Sequence, residues 1–258
     1  MMWMPTFGKS PVDVEAGVRP LYPMMLESPQ LRWSFIRKVY SILSFQLLLT
    51  VAVATVVVTV RPVANFFVSS GTGLALYIIV LVLPLAVLIP LSCYHQQHPV
   101  NLVLLMVFTT ALALAVGLTC AFTEGKINRE VIFVFTQRGK VILESASLTA
   151  VVVISLTLYT FWAARRGYDF NFLGPFLFGA IMVLIVFVLV QTFIPLGRTS
   201  RMIYGALASI IFCGYIIYDT DNLIKRFSYD EYVWAAVSLY LDIINLFLSL
   251  LTLFRATD

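Results

Sequence analysis

Three carboxylates fall inside long apolar runs of the sequence: Glu144, Asp219 and Asp242. A charged side chain at the centre of a bilayer costs at least ~2.5–3.5 kcal/mol on insertion scales, so a carboxylate there needs a partner, water or a function. Asp242 stands about ten residues into the last run, in Tyr240-Leu241-Asp242-Ile243-Ile244-Asn245; Asp219 closes the run before it, in Tyr218-Asp219-Thr220-Asp221-Asn222. A short connection near Ser228 to Asp230 joins the two runs, which predicts an antiparallel helical hairpin. Counted from that turn, the two aspartates differ in depth by roughly 6 Å, about one helical turn. A modest stagger brings their carboxyls into hydrogen-bond reach. Two carboxylates in a dry site do not both stay ionised cheaply, so the pair is a candidate proton switch or cation site. The plainer alternative for Asp219 is a solvated helix end, and for Glu144, one turn into the fourth run, a side chain that snorkels to the interface. Asp221 is expected to face water.

Other chemistry is weaker. Asp219-Thr220-Asp221 resembles the start of a calcium loop, but the sixth position is Ile224 instead of Gly and the twelfth is Asp230 instead of Glu. His95 and His98 are i, i+3 neighbours in a turn; they are either a metal-binding pair or two solvated histidines. The chain contains no HExxH, P-loop, dinucleotide glycine motif or GxSxG. Cys93, Cys120 and Cys213 are too few and scattered for a disulfide framework or a thiolate metal site. No cofactor, no firm metal site and no enzymatic activity are expected.

The elements that carry these residues follow from composition. Of 258 residues, 60% are hydrophobic and 12% charged, against nearly half and about a quarter in soluble domains. Most of the chain must have lipid as its solvent. The net charge of +4 is no nucleic-acid footprint, because most Lys and Arg lie in short connections between apolar runs. Seven such runs are expected at 39–60, 74–94, 100–122, 141–163, 173–194, 202–222 and 233–254, each long enough to cross a core about 30 Å thick. They lack the alternation of a membrane barrel. The fold class is therefore all-α: a polytopic membrane protein with residues 1–38 as a polar tail and 39–258 as a seven-helix domain. The tail shows no cleavable signal, and Pro5, Pro11, Pro20, Pro23 and Pro29 are expected to keep helix out of it.

Five basic residues precede the first run and one follows it, which places the N-terminus in the cytosol. Over all connections the balance is only nine to eight. The 125–138 segment blurs it: Gly125-Lys126 recurs as Gly139-Lys140, and the β-prone Val131-Ile132-Phe133-Val134-Phe135 between them is too short to span. That segment is expected to be an insertion or a gene-model artefact. Small residues at i, i+4, Ala113 with Gly117 and Ala146 with Ala150, are expected to serve ordinary helix packing.

Tyr218-Asp219-Thr220-Asp221-Asn222-Leu223-Ile224 followed by Ser238-Leu239-Tyr240-Leu241-Asp242-Ile243-Ile244-Asn245 resembles the C-terminal signature of the Bax-inhibitor-motif transmembrane family. Arg19-Pro20-Leu21-Tyr22-Pro23, His98-Pro99-Val100-Asn101 and Gly167-Tyr168-Asp169-Phe170-Asn171-Phe172-Leu173-Gly174-Pro175 are similar to its plant-type Lifeguard branch, and the likeness runs from about residue 18 to the end. The resemblance implies seven helices with the last one central, a pH-sensitive calcium leak in the endoplasmic reticulum or another endomembrane, and suppression of stress-induced cell death. It also implies that Asp219 and Asp242 form the pH-sensing pair, with calcium as the transported ion, and that Glu144 in Leu143-Glu144-Ser145-Ala146 matches a fourth-helix carboxylate. Bacterial relatives lock the pair with an Arg at the end of the second helix. The corresponding Cys93-Tyr94-His95-Gln96-Gln97-His98 has no Arg or Lys, so the lock is absent or passes to a protonated histidine.

Two other function classes fit parts of this pattern. A scaffold would use the tail to dock membrane or cytosolic regulatory proteins, with the carboxylates structural. An intramembrane aspartyl protease also pairs two aspartates on adjacent helices, but it needs a Gly-x-Gly-Asp where this chain has Leu239-Tyr240-Leu241-Asp242.

Overall fold

Ser28 and Pro29 start the first helix about ten residues before the apolar run begins. In a computed structural model of the chain, which describes residues 20–23, 25–60, 62, 66–67, 71–123, 131–194 and 197–257, helix α1 spans Pro29–Thr59. The Ser28 hydroxyl accepts the Leu31 N–H at 3.4 Å. Pro29, expected to break helix, instead occupies the first turn, where its missing N–H is no loss. The other long helices are α2 (Gly71–Tyr94), α3 (Val100–Thr123), α4 (Val131–Arg165), α5 (Leu173–Phe193), α6 (Gly197–Lys225) and α7 (Tyr232–Thr257). The β-prone Val131–Phe135 stretch is thus helical, as a segment without a strand partner must be to satisfy its own backbone. Residues 124–130, the opening of the expected insertion, lie outside the described residues.

All seven helices are long and apolar enough to cross a membrane, and no strand occurs among the described residues. The protein is an integral membrane protein of seven spans. The last helix is the central one: 56% of the α7 apolar window is buried and 50% of that of α3, against at most 22% for the others. Helix α7 packs against α1, α3, α4 and α6, whereas α2 lies mainly on α3 and α5 on α6. Alternating spans put the start of α1 at the same membrane end as the α2–α3, α4–α5 and α6–α7 connections; this is termed the hairpin end below.

Polar contacts tie the buried helices together. Tyr240, fully buried on α7, meets the Thr50 hydroxyl of α1 at 2.6 Å. Gln46 of α1 donates to Thr109 of α3 at 3.0 Å. Such bonds average about 0.6 kcal/mol in membrane bundles and fix register more than they stabilise. Gly117 lets α3 approach α1, where an added Cβ would lie 3.0 Å from Ala54 Cα. Ala113 is buried, but Ala146 and Ala150 are exposed, so the second small-residue pair does not pack inside the bundle.

Candidate functional site

The α6–α7 hairpin turns through a single 3-10 turn, Tyr229–Glu231, closed by a capping box. The Ser228 hydroxyl accepts the Glu231 N–H, and the Glu231 carboxylate accepts the Ser228 N–H at 2.9 Å. The tight turn holds the two helices in antiparallel register. Farther along, Gly205 of α6 abuts the α7 backbone at Ser249 and Leu253. In this register the Asp219 carboxyl lies within hydrogen-bond reach of the Asp242 carboxyl, the Ser238 hydroxyl and the Asn222 side chain. Asp242 is 7% exposed, and its Oδ2 has no hydrogen-bond partner among the described residues. Two carboxyls hydrogen-bond to each other only when one carries a proton. The arrangement can therefore hold or release a shared proton.

Asp221 is not solvated, contrary to expectation. It is fully buried, with Lys225 Nζ at 2.5 Å and the Arg226 guanidinium at 3.8 Å. The reason is tertiary. Gly167, at φ +84°, lets the chain turn sharply out of α4, and the following loop folds over the end of α6. There the Phe170 N–H donates to Asp221 at 3.3 Å, Lys225 donates to the Tyr168 carbonyl, and Arg226 pairs with Asp169 at 2.6 Å. Burial works against the charged form of Asp169. The Asn171 N–H and the Arg226 guanidinium together outweigh it and hold the carboxyl below the usual aspartate range.

A second clasp joins the start of α1 to the hairpin turn. Arg32, 2% exposed, donates to the Phe227 carbonyl and to Glu27, both at 2.6 Å, and lies over the rings of Phe35 and Tyr229. The Tyr229 hydroxyl donates to Glu27 at 2.8 Å. That bond holds the Glu27 carboxyl below the usual glutamate range; partial burial opposes it and Arg32 adds to it. In the sequence Arg32 is one of the five basic residues before the first run, and nothing there marks it as buried. The Glu27–Arg32 pair and the i, i+4 spacing of Asp221 and Lys225 were the visible signals of the two clasps.

The remaining candidates are not brought to the pair. Glu144 is half exposed and pairs with Lys140 at 3.5 Å, at the opposite membrane end. His98 hydrogen-bonds the Tyr232 hydroxyl, about 15 Å along α7 from Asp242. His95 Nδ1 lies 2.6 Å from the Ser92 carbonyl. The lock on the aspartates therefore does not pass to these histidines; the polar neighbours of the pair are Asn222 and Ser238, whose hydroxyl donates to the Ala235 carbonyl at 3.2 Å. No group of three or more metal-ligating side chains occurs among the described residues.

Comparison with known proteins agrees with the architecture. The chain is 66% identical to "Protein LIFEGUARD 4" of Arabidopsis thaliana over 99% of both chains. It is 69% identical to "Protein LIFEGUARD 3" of the same plant, over 95% of this chain and 94% of the relative. It is also 34% identical to the "Golgi anti-apoptotic protein" of Vaccinia virus (strain Lister), over 90% and 89% respectively. Residues 32–258 match the family described as "Inhibitor of apoptosis-promoting Bax1". That match begins at the clasping Arg32 and runs through all seven spans, and the chain belongs to this Bax-inhibitor family, with the Lifeguard proteins among its relatives.

Proposed function

We propose that this protein is a non-enzymatic regulator of cell death that sets a pH-sensitive calcium leak across an internal membrane. The observation that supports the reading is the carboxyl pair, Asp219 half-buried and Asp242 buried, on adjacent helices. A shared proton keeps the carboxyls together and lowers their attraction for a divalent cation. Loss of that proton breaks the hydrogen bond and adds negative charge, so the contact opens as the site becomes able to attract calcium. The N-terminus lies in the cytosol, which puts the hairpin end and the pair at the cytosolic mouth of a path along α7. Relatives named for anti-apoptotic action, one of them for the Golgi, support a death-suppressing role on an endomembrane.

The test is calcium flux from proteoliposomes as a function of pH. Wild type shows a pH-dependent leak and Asp242→Asn a leak that no longer responds to pH; an unchanged profile in the variant removes the pair from the mechanism. The relatives' names speak of cell death and not of ion flux, which favours a partner-binding scaffold as the second reading. Deleting residues 1–19 leaves the Ser28 cap and the Glu27 clasp in place. Loss of protection against cell death with flux intact would favour the scaffold.

A further inference from the structure

Four residues of α1 recur at helical spacing: Ser34, Arg37, Lys38 and Ser41. The i, i+3, i+4, i+7 pattern puts them on one stripe, and that stripe forms one wall of a cavity of about 530 Å³. His98, before the first turn of α3, and Tyr232, the first residue of α7, face it, while Ile42 and Leu102 add an apolar floor. The lining holds two cations, an imidazole and three hydroxyls, and no carboxylate.

Cations at the hairpin end fall into two groups: Arg165 and Arg166, like the two in this cavity, have no acidic partner among the described residues. Arg32, Lys225 and Arg226 are each matched by an acid. Arg37 has no acidic partner among the described residues, and Lys38 lies 3.2 Å from the centre of the Tyr232 ring, a contact that leaves its charge uncompensated. Depth supplies the second constraint. The 31 residues of α1 rise about 46 Å, roughly 15 Å more than the hydrocarbon core, and the excess lies before the apolar run begins. Ser34, Arg37 and Lys38 therefore sit at headgroup level, with Ser41 and Ile42 at the top of the acyl chains.

We infer that this cavity binds the headgroup of an anionic lipid carrying a terminal phosphate monoester. The Arg37 fork and the Lys38 ammonium match its oxygens, and the Ser41 hydroxyl donates to one that remains, while the Ser34 hydroxyl stays on the Gln30 carbonyl at 3.0 Å. A monoester carries about −1.5 to −2 charge near neutral pH, which balances two cations where a diester balances one. Ile42 and Leu102 lie under the glycerol and the first methylenes of the chains.

The test uses the full-length protein in detergent, with dioctanoyl phosphatidate, dioctanoyl phosphatidylcholine and glycerol 3-phosphate as probes, read by native mass spectrometry and melting temperature. Phosphatidate binds and raises the melting temperature, phosphatidylcholine does not, and glycerol 3-phosphate competes only weakly. The Arg37→Gln/Lys38→Gln double variant loses affinity about tenfold or more, while Arg165→Gln, at the same membrane end outside the cavity, binds as wild type. An unliganded melting temperature equal to wild type shows that the double variant is folded; where it is lower, Ser41→Leu, which fills the cavity without removing charge, gives the same loss of binding. Equal binding of the two lipids, or full affinity in both cavity variants, overturns the inference. Competition by glycerol 3-phosphate as strong as binding of phosphatidate overturns the lipid and leaves a soluble phosphate ester.

Discussion

Gly205 is where the α6–α7 hairpin tolerates least change. A Cβ added there would lie 2.8 Å from Leu253 N and 2.9 Å from Ser249 O, both backbone atoms of α7. Neither atom can rotate away, so the helices must separate by about 0.6 Å to restore ordinary 3.4 Å contact. Overpacking of this kind costs ~1–3 kcal/mol, and the better helix propensity of Ala returns up to ~1 kcal/mol. Gly205→Ala should thus destabilise the bundle by about 1–2 kcal/mol, measured by unfolding in a denaturing-detergent titration. Two other substitutions calibrate the result. At Gly214 the nearest atom is the mobile end of Leu177, so Gly214→Ala should cost less; at Gly179 nothing lies within 4 Å, so Gly179→Ala should be neutral or slightly stabilising. Gly205→Ala as stable as Gly179→Ala would refute the backbone contact, and with it the register that aligns Asp219 with Asp242.

The clasps at the hairpin end make two further predictions. Asp221→Asn leaves Lys225 and Arg226 without their buried partner. Removing one member of a fully buried pair costs ~3–5 kcal/mol; because both cations reach partly to water, about 2–3 kcal/mol is expected, and a change under ~0.5 kcal/mol in the same titration would sink the assignment. The acids of the clasps also set a pH response. Glu27 and Asp169 are held below their ordinary values in the folded protein, so each contributes stability that is complete above the unfolded value and is lost as pH falls through the folded one. Protection of the amides at residues 226–231, measured against their intrinsic exchange at each pH, should therefore fall below about pH 4 in wild type. Glu27→Gln should exchange faster already at neutral pH and respond less to acid; identical protection in both proteins would contradict the clasp.

Local pattern exposed the seven runs and the hairpin that carries Asp219 and Asp242, because each depends on residues close in sequence. The start of α1 was misread for a physical reason: Pro29 breaks a helix from inside and begins one from the first turn, and composition does not distinguish the two. Asp221 looked solvated because its burial depends on the loop after Gly167 folding across α6, a long-range event. Arg32 was counted as one charge among five, yet its carbonyl partner Phe227 is 195 residues away. The cavity over Arg37 and Lys38 is assembled from three helices, so only its α1 stripe could have been seen. Glu144 shows the converse: the sequence placed it correctly on the fourth helix, and its pairing with Lys140 gives it a surface role.

A pH-sensitive leak requires Asp219 and Asp242 to act as one proton-sharing unit, and a double-mutant cycle in the proteoliposome calcium assay tests that most directly. Asp219→Asn, Asp242→Asn and the double variant should each lose the pH dependence of the leak, with the double variant no different from either single one. Effects that add independently, or a single variant that keeps the wild-type profile, would contradict a shared proton.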